Sequence, residues 1–232
     1  MLEPRKLLGD LLDARLPGTQ STVGETATRA SGLARDNPMA TAALAAFLLG
    51  TGKGRALTGS VLKIGGLAAV AGLAYQAYRN YQSGTTPAET PVPAIELLPP
   101  PDDTAFHHSQ TQQGETEFAM TLVRAMIAAA QADGVIDGSE REAILDRLRA
   151  AGAGADAEAM LEAELGRPVS VGQLIADART DAQKVELYTA SRLALDVDTP
   201  VERSYLQALA ARLKLPDNLV RHIESAVESV RA

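Results

Sequence analysis

The chain has 232 residues, no Cys, no Trp and only 3% aromatic residues. That excludes disulfides, thiolate metal sites and a cysteine nucleophile. The net charge of −7 is uneven: residues 1–81 carry nine Lys/Arg against five Asp/Glu, residues 82–113 none against four, and residues 114–232 thirteen against twenty. A basic front, an acidic back and no Lys/Arg stripe interleaved with aromatics exclude a nucleic-acid partner.

Residues 1–36 open with MLEPRKLLGDLLDARLPG, an amphipathic stretch without a long apolar h-region. No cleaved secretory signal is expected from it.

Residues 37–81 are rich in Ala and Gly. The first apolar run, Met39 to Leu49, is 11 residues; the second, Ala56 to Tyr78, is 23 residues interrupted by one charge, Lys63. About 20 apolar residues cross a bilayer as a helix, so the second run is long enough, with Lys63 snorkelling toward an interface. Gly65, Ala68, Ala69 and Gly72 give small-xxx-small spacing, which lets helices approach closely in lipid. Lys53, Arg55 and Arg79 flank the run, and Tyr75, Tyr78 and Tyr81 group at its end as an aromatic anchor. The segment is therefore expected to anchor the chain in a membrane, or to form a hairpin that self-associates, binds a partner or lies in the interface plane. Positive charge before the run places the N-terminus inside and the C-terminal part across the membrane, whereas a re-entering hairpin keeps that part cytoplasmic.

Residues 82–113 hold six of the twelve prolines and no basic residue. Such a stretch reads as an extended linker that lets its two neighbours move independently, with His107 and His108 solvated.

From residue 114 to 232 apolar residues recur at helical spacing. The groups are Phe118, Leu122, Ala125, Met126 and Ala129; Ile144, Leu145 and Leu148; Met160, Leu161 and Leu165; Leu174, Ile175 and Ala178. Further groups follow at Val185 to Leu195, Tyr205 to Leu213 and Leu219 to Val227. No alternating strand pattern is present, so the expectation is a compact all-α bundle of six or seven helices. Internally, VRAMIAAAQADGVIDGSEREAILDRL aligns with LYTASRLALDVDTPVERSYLQAL, placing Asp133 on Asp196, Glu140 on Glu202 and Arg141 on Arg203. Each copy is helix, acidic elbow, helix, and two facing hairpins bring both elbows to one end of the bundle.

Asp137 with Glu140, and Thr199-Pro200 with Glu202, are capping-box patterns that need no ligand. Capping leaves Asp133, Asp196 and Asp198 unexplained, since a carboxylate after an apolar helix faces the negative end of its dipole. A cation, or Arg141 and Arg203, could offset that cost. The first elbow is not an EF-hand, because Val135 and Ile144 stand where oxygen ligands are needed.

ADGVIDGSEREAI, followed some sixty residues later by LDVDTPVERSYLQALAARLKL, resembles the TerB-like domain of the tellurite-resistance TerB family. Together with the Gly-rich segment LGTGKGRALTGSVLKIGGLAAVAGLAYQAYRNYQ, it looks like the uncharacterised bacterial inner-membrane proteins that join a Gly-rich region to a C-terminal TerB-like domain. The resemblance implies an all-α fold and a setting among envelope and stress-response proteins. It also implies a divalent cation such as Ca²⁺ on acidic residues, here Asp133, Asp137, Glu140, Asp196, Asp198 and Glu202. The second elbow departs from the pattern, with Val197 where the first has Gly134.

A non-enzymatic, membrane-tethered scaffold that binds a divalent cation or a protein partner is the leading expectation. A purely structural interaction module is the alternative. A metal-assisted hydrolase ranks last, because the helical part has a single histidine, His222, and no nucleophile elbow, HExxH or phosphate loop.

Overall fold

The computed structural model describes residues 66–87, 99–107, 115–134, 136–150, 155–195 and 197–231. Among these are eight helices and no strand: α1 (Gly66–Gln82), α2 (Glu115–Ala130), α3 (Gly138–Ala150), α4 (Ala155–Leu165), α5 (Val171–Asp177), α6 (Asp181–Leu193), α7 (Pro200–Leu213) and α8 (Asp217–Arg231). The all-α expectation holds, with seven helices after residue 114.

The organising element is α6. Thr180 begins it with a reciprocal cap to Gln183, and eleven of its thirteen residues are buried. A helix covered on nearly every side must be wrapped by others. Here α2 and α1 cover much of it, and α7 and α8 rest on the remainder. Its polar side chains find local acceptors: the Thr189 hydroxyl donates to the Val185 carbonyl at 2.8 Å, and Arg192 Nη1 to the Leu195 carbonyl at 2.9 Å. On the outside, α5 leans on α2, and α3 pairs with α4.

Helix α1 belongs to the same core. Ala69, Val70, Leu73, Ala74 and Ala77 are buried in one cluster with Val185, Leu187, Leu219 and Ile223, and α1 packs on both α6 and α8. Small side chains on α1 permit this close approach, the property that also suits helix packing in lipid. No helix among the described residues is long and apolar enough to cross a membrane. Residues 39–49 and 56–65 of the two apolar runs lie outside the described residues.

Within the proline-rich stretch, residues 99–107 pack against α1 through Phe106. Phe106 is buried, with its ring 5.8 Å from that of Tyr75 and 5.4 Å from that of Tyr78. Tyr81 meets the His222 ring edge-on at 6.4 Å. The tyrosines expected to anchor α1 at a membrane surface thus lie against Phe106 and α8. An aromatic side chain of that size contributes enough apolar burial to hold a proline-rich segment that propensity alone leaves extended. His107 pairs with Asp102 at 3.2 Å, where solvation was expected; His108 lies outside the described residues.

Candidate functional site

The first elbow joins α2 to α3. Helix α2 unwinds through tightened turns, with the Ala132 amide donating to the Ala129 carbonyl at 2.9 Å and the Gly134 amide to the Gln131 carbonyl at 3.2 Å. Asp133 follows, exposed, and its carboxylate makes no hydrogen bond or ion pair among the described residues. Asp137 caps α3: its Oδ1 accepts from the Ser139 hydroxyl at 2.6 Å, the Ser139 amide at 2.7 Å and the Glu140 amide at 2.9 Å. Glu140 reaches back, Oε2 accepting from the Asp137 amide at 3.0 Å. The Ser139 hydroxyl, then the two amides, hold the Asp137 carboxyl below its ordinary range, because each bond favours the charged form.

The second elbow joins α6 to α7. Thr199 accepts from the Glu202 amide at 3.2 Å, and Glu202 Oε2 accepts from the Thr199 amide at 2.8 Å and its hydroxyl at 3.0 Å. With Pro200 at the first turn, this is a complete capping box. Asp198 is exposed, and Asp196 lies outside the described residues. Val197 adopts a left-handed backbone with φ 57°, so the turn forms without the glycine present in the first copy. Gly134 itself is not left-handed.

Three of the six candidate carboxylates, Asp137, Glu140 and Glu202, are therefore engaged in capping. No three His, Asp or Glu side chains among the described residues are grouped closely enough to hold a metal ion. Among the described residues, the arginines beside the caps make no ion pair with the elbow carboxylates. Arg203 Nη1 donates to the carbonyls of Val197 at 3.2 Å and Asp198 at 3.3 Å, which steadies the strained turn. Arg141 Nε is buried with no acceptor among the described residues.

Two ionic clusters among the described residues join helices distant in sequence. Arg124 on α2 grips Glu164 on α4 through two bonds of 2.7 and 3.0 Å, and Arg167 adds a third at 3.3 Å. This bond from Arg124 is the main reason the buried Glu164 carboxyl sits below its usual range. Arg192 on α6 holds both Glu224 and Glu228 on α8, and the Tyr188 hydroxyl donates to Glu224 at 2.9 Å. Burial, followed by the neighbouring Glu224 charge, pushes the Tyr188 phenol up, so it stays a donor. A lone Arg within the apolar run YTASRLAL, and two Glu four residues apart on α8, were the available sequence signals for this network.

Helices α7 and α8 each rest on α6 and scarcely touch one another. Between them runs an open groove of about 470 Å³. Its α7 wall presents Arg203, Leu206, Gln207, Ala210 and Ala211; its α8 wall presents Asp217, Val220, Arg221 and Glu224; Tyr188 of α6 also lines it. Both walls follow the i, i+3, i+4, i+7 rhythm of a single helix face. Val197 and Leu215 complete the lining. This is a surface suited to binding an apolar-faced segment, with charged groups at its rim.

An all-α bundle with two capped acidic elbows and an open two-helix groove is the class of protein that these features define. The chain belongs to the family described as "Protein of unknown function (DUF533)", whose model matches residues 35–227. It is also similar to the "Uncharacterized protein in ampR 5'region" of Yersinia enterocolitica, 30% identical over 126 residues, covering 52% of this chain and 91% of that protein. No solved structure matches the chain.

Proposed function

We propose that this chain is a non-enzymatic interaction module of TerB-like architecture that binds a protein segment in the groove between α7 and α8. It sits at the bacterial inner membrane through the Ala/Gly-rich chain preceding Gly66. The observation that supports this reading is how the polar groups are engaged. Asp137, Glu140 and Glu202 serve the helix ends, whereas the α7/α8 groove keeps apolar surface open between helices that do not close on each other. Membrane attachment is supported by the apolar runs ahead of Gly66, and a role in envelope or metal and tellurite stress by the TerB-like motifs alone.

A second reading, a divalent cation held at the elbows, draws support from Asp133 and Asp198, which are exposed and whose side chains have no partner among the described residues. Thermal denaturation of the full chain with millimolar Ca²⁺ or Mn²⁺ separates the two. The interaction reading expects an unchanged Tm. A rise that disappears in Asp133→Asn with Asp196→Asn favours the cation instead. Fractionation with protease protection tests the membrane part: release of the chain in the soluble fraction at low salt defeats it.

A further inference from the structure

We propose that Asp133 is a site of isoaspartate formation, a backbone modification in which the Gly134 amide nitrogen closes on the Asp133 side chain. The site lies in the first elbow and is independent of the α7/α8 groove.

The elbow contains two Asp-Gly pairs, Asp133-Gly134 and Asp137-Gly138, four residues apart. Such pairs are open to this reaction because glycine has no Cβ to obstruct the approach of its own nitrogen to the preceding side chain. By sequence the two are equal. The structure separates them.

Asp137 is locked. Its Oδ1 accepts from the Ser139 hydroxyl and from the Ser139 and Glu140 amides, its own amide donates to Glu140 Oε2, and its carbonyl accepts from the Arg141 amide at 3.0 Å. Swinging Cγ toward the Gly138 nitrogen breaks the three bonds to Oδ1 and uncaps α3. Each bond lost slows the reaction by about a factor of two to ten, so three lost together slow it by about ten to a thousand. The same bonds hold the Asp137 carboxyl below its ordinary range. An ionised carboxylate is the poorer electrophile, because hydroxide rather than water must leave.

Asp133 is open. It is exposed, and its carboxylate accepts no hydrogen bond among the described residues. Helix α2 ends at Ala130, which leaves Asp133 in the turn beyond it. Gly134 is exposed and not left-handed, and the point where its Cβ would stand meets nothing within 4 Å. One bond must open, from the Gly134 amide to the Gln131 carbonyl at 3.2 Å. That costs about a factor of two to ten, at a helix end where local opening is easiest. The negative end of the α2 dipole works against a carboxylate there, and ring closure removes the charge.

The reaction balances with water alone. The Gly134 nitrogen attacks Asp133 Cγ and a new C–N bond forms. The amide proton and the side-chain hydroxyl leave as water, giving a five-membered succinimide. Water then adds to one of the two ring carbonyls and breaks that carbon's bond to nitrogen. Addition at Cγ restores aspartate; addition at the backbone carbonyl gives isoaspartate, in which the chain runs through the side-chain carbonyl. The link from α2 to α3 gains one methylene, and the carboxylate is carried on Cα. The product is the substrate class of methyltransferases that act on isoaspartyl carboxylates.

A single tryptic peptide, residues 125–141, carries both pairs, so each serves as the control for the other. The purified full chain is held for several weeks at 37 °C and neutral pH and digested, and isoaspartate is located by electron-transfer fragmentation. Methyl transfer from a labelled donor by an isoaspartyl methyltransferase gives the total. In the folded chain, isoaspartate at residue 133 is expected to exceed that at residue 137 at least tenfold. In guanidinium chloride strong enough to unfold the chain, where the capping bonds are gone, the two are expected to agree within about twofold. Gly134→Ala, which the open space accommodates, is expected to lower the product at residue 133 at least tenfold with the Tm unchanged. Equal yields at the two residues of the folded chain, or a preference for residue 137, overturn the proposal. So does product at residue 133 that appears only after unfolding or not at all, and so does a yield that Gly134→Ala leaves unchanged.

Discussion

Arg192 on α6, only 4% exposed, is held at Nε by Glu224 of α8 and at Nη2 by Glu228. A buried guanidinium is tolerated only when its donors are matched, and the third direction is taken by the Leu195 carbonyl. Arg192→Met removes the cation and leaves two partly exposed carboxylates facing each other. Urea unfolding is expected to show a loss of about 2 kcal/mol, below the usual cost of breaking a fully buried pair because water reaches both glutamates. Arg192→Met with Glu224→Gln is expected to recover part of it, since the amide oxygen still accepts from Tyr188 while the repulsion is gone. No recovery in the double variant would show that packing of the arginine stem, not charge, holds α8.

Phe106 connects the proline-rich stretch to the core through Tyr75 and Tyr78. Phe106→Ala is expected to cost about 3 kcal/mol, the low end for a buried aromatic. Limited proteolysis should then cut between residues 99 and 107 well before the helices are attacked. Unchanged protease resistance in Phe106→Ala would mean that the segment is held by its turns alone.

The contrast between these two features and the helix caps explains what was legible in the sequence. Asp137 with Glu140, and Thr199 with Glu202, act over three residues, so spacing alone reveals them. The helices likewise declare themselves through period. The contacts of Arg192 span 32 and 36 residues, and no local pattern specifies a partner that far away. Phe106 is masked by the prolines around it. The Ala/Gly face of α1 is ambiguous for a physical reason: small residues permit close helix contact in a bilayer and in a water-soluble bundle alike, so the sequence of α1 does not name the medium. The groove was invisible because its walls are ordinary amphipathic faces, and only the splay between α7 and α8 makes them a site.

Glu186 gives the chain a pH dependence opposite in sign to that of its salt-bridged carboxylates. It lies buried on α6, and burial raises its carboxyl well above the ordinary value of 4.5. The folded protein then binds a proton that the unfolded chain has released, so stability falls as pH rises from about 4.5 toward the raised value. Glu186→Gln is expected to be more stable than the parent at neutral pH and equal to it below pH 4.5. Glu164 acts the other way: its pKa is lowered by Arg124, so its contribution is present above the ordinary carboxylate range and is lost as acid protonates it. Denaturant midpoints from pH 3 to 8 should therefore show the Glu186→Gln advantage growing with pH. A constant offset across that range would mean that the side chain is not titrating and that the gain is one of packing.

Val197 stores strain in the second elbow. A β-branched residue at φ 57° costs about 1–2 kcal/mol relative to a right-handed conformation. That cost is offset locally by Arg203, which donates to the carbonyls of Val197 and Asp198. Val197→Gly removes the steric penalty but also a side chain that lines the groove, and it gives the unfolded chain more freedom to lose. The balance is expected to be a gain of about 0.5 kcal/mol in the parent background. In Arg203→Ala, where those two bonds are lost, the same change is expected to gain about 1 kcal/mol. Equal gains in both backgrounds would show that Arg203 does not act on the turn at all.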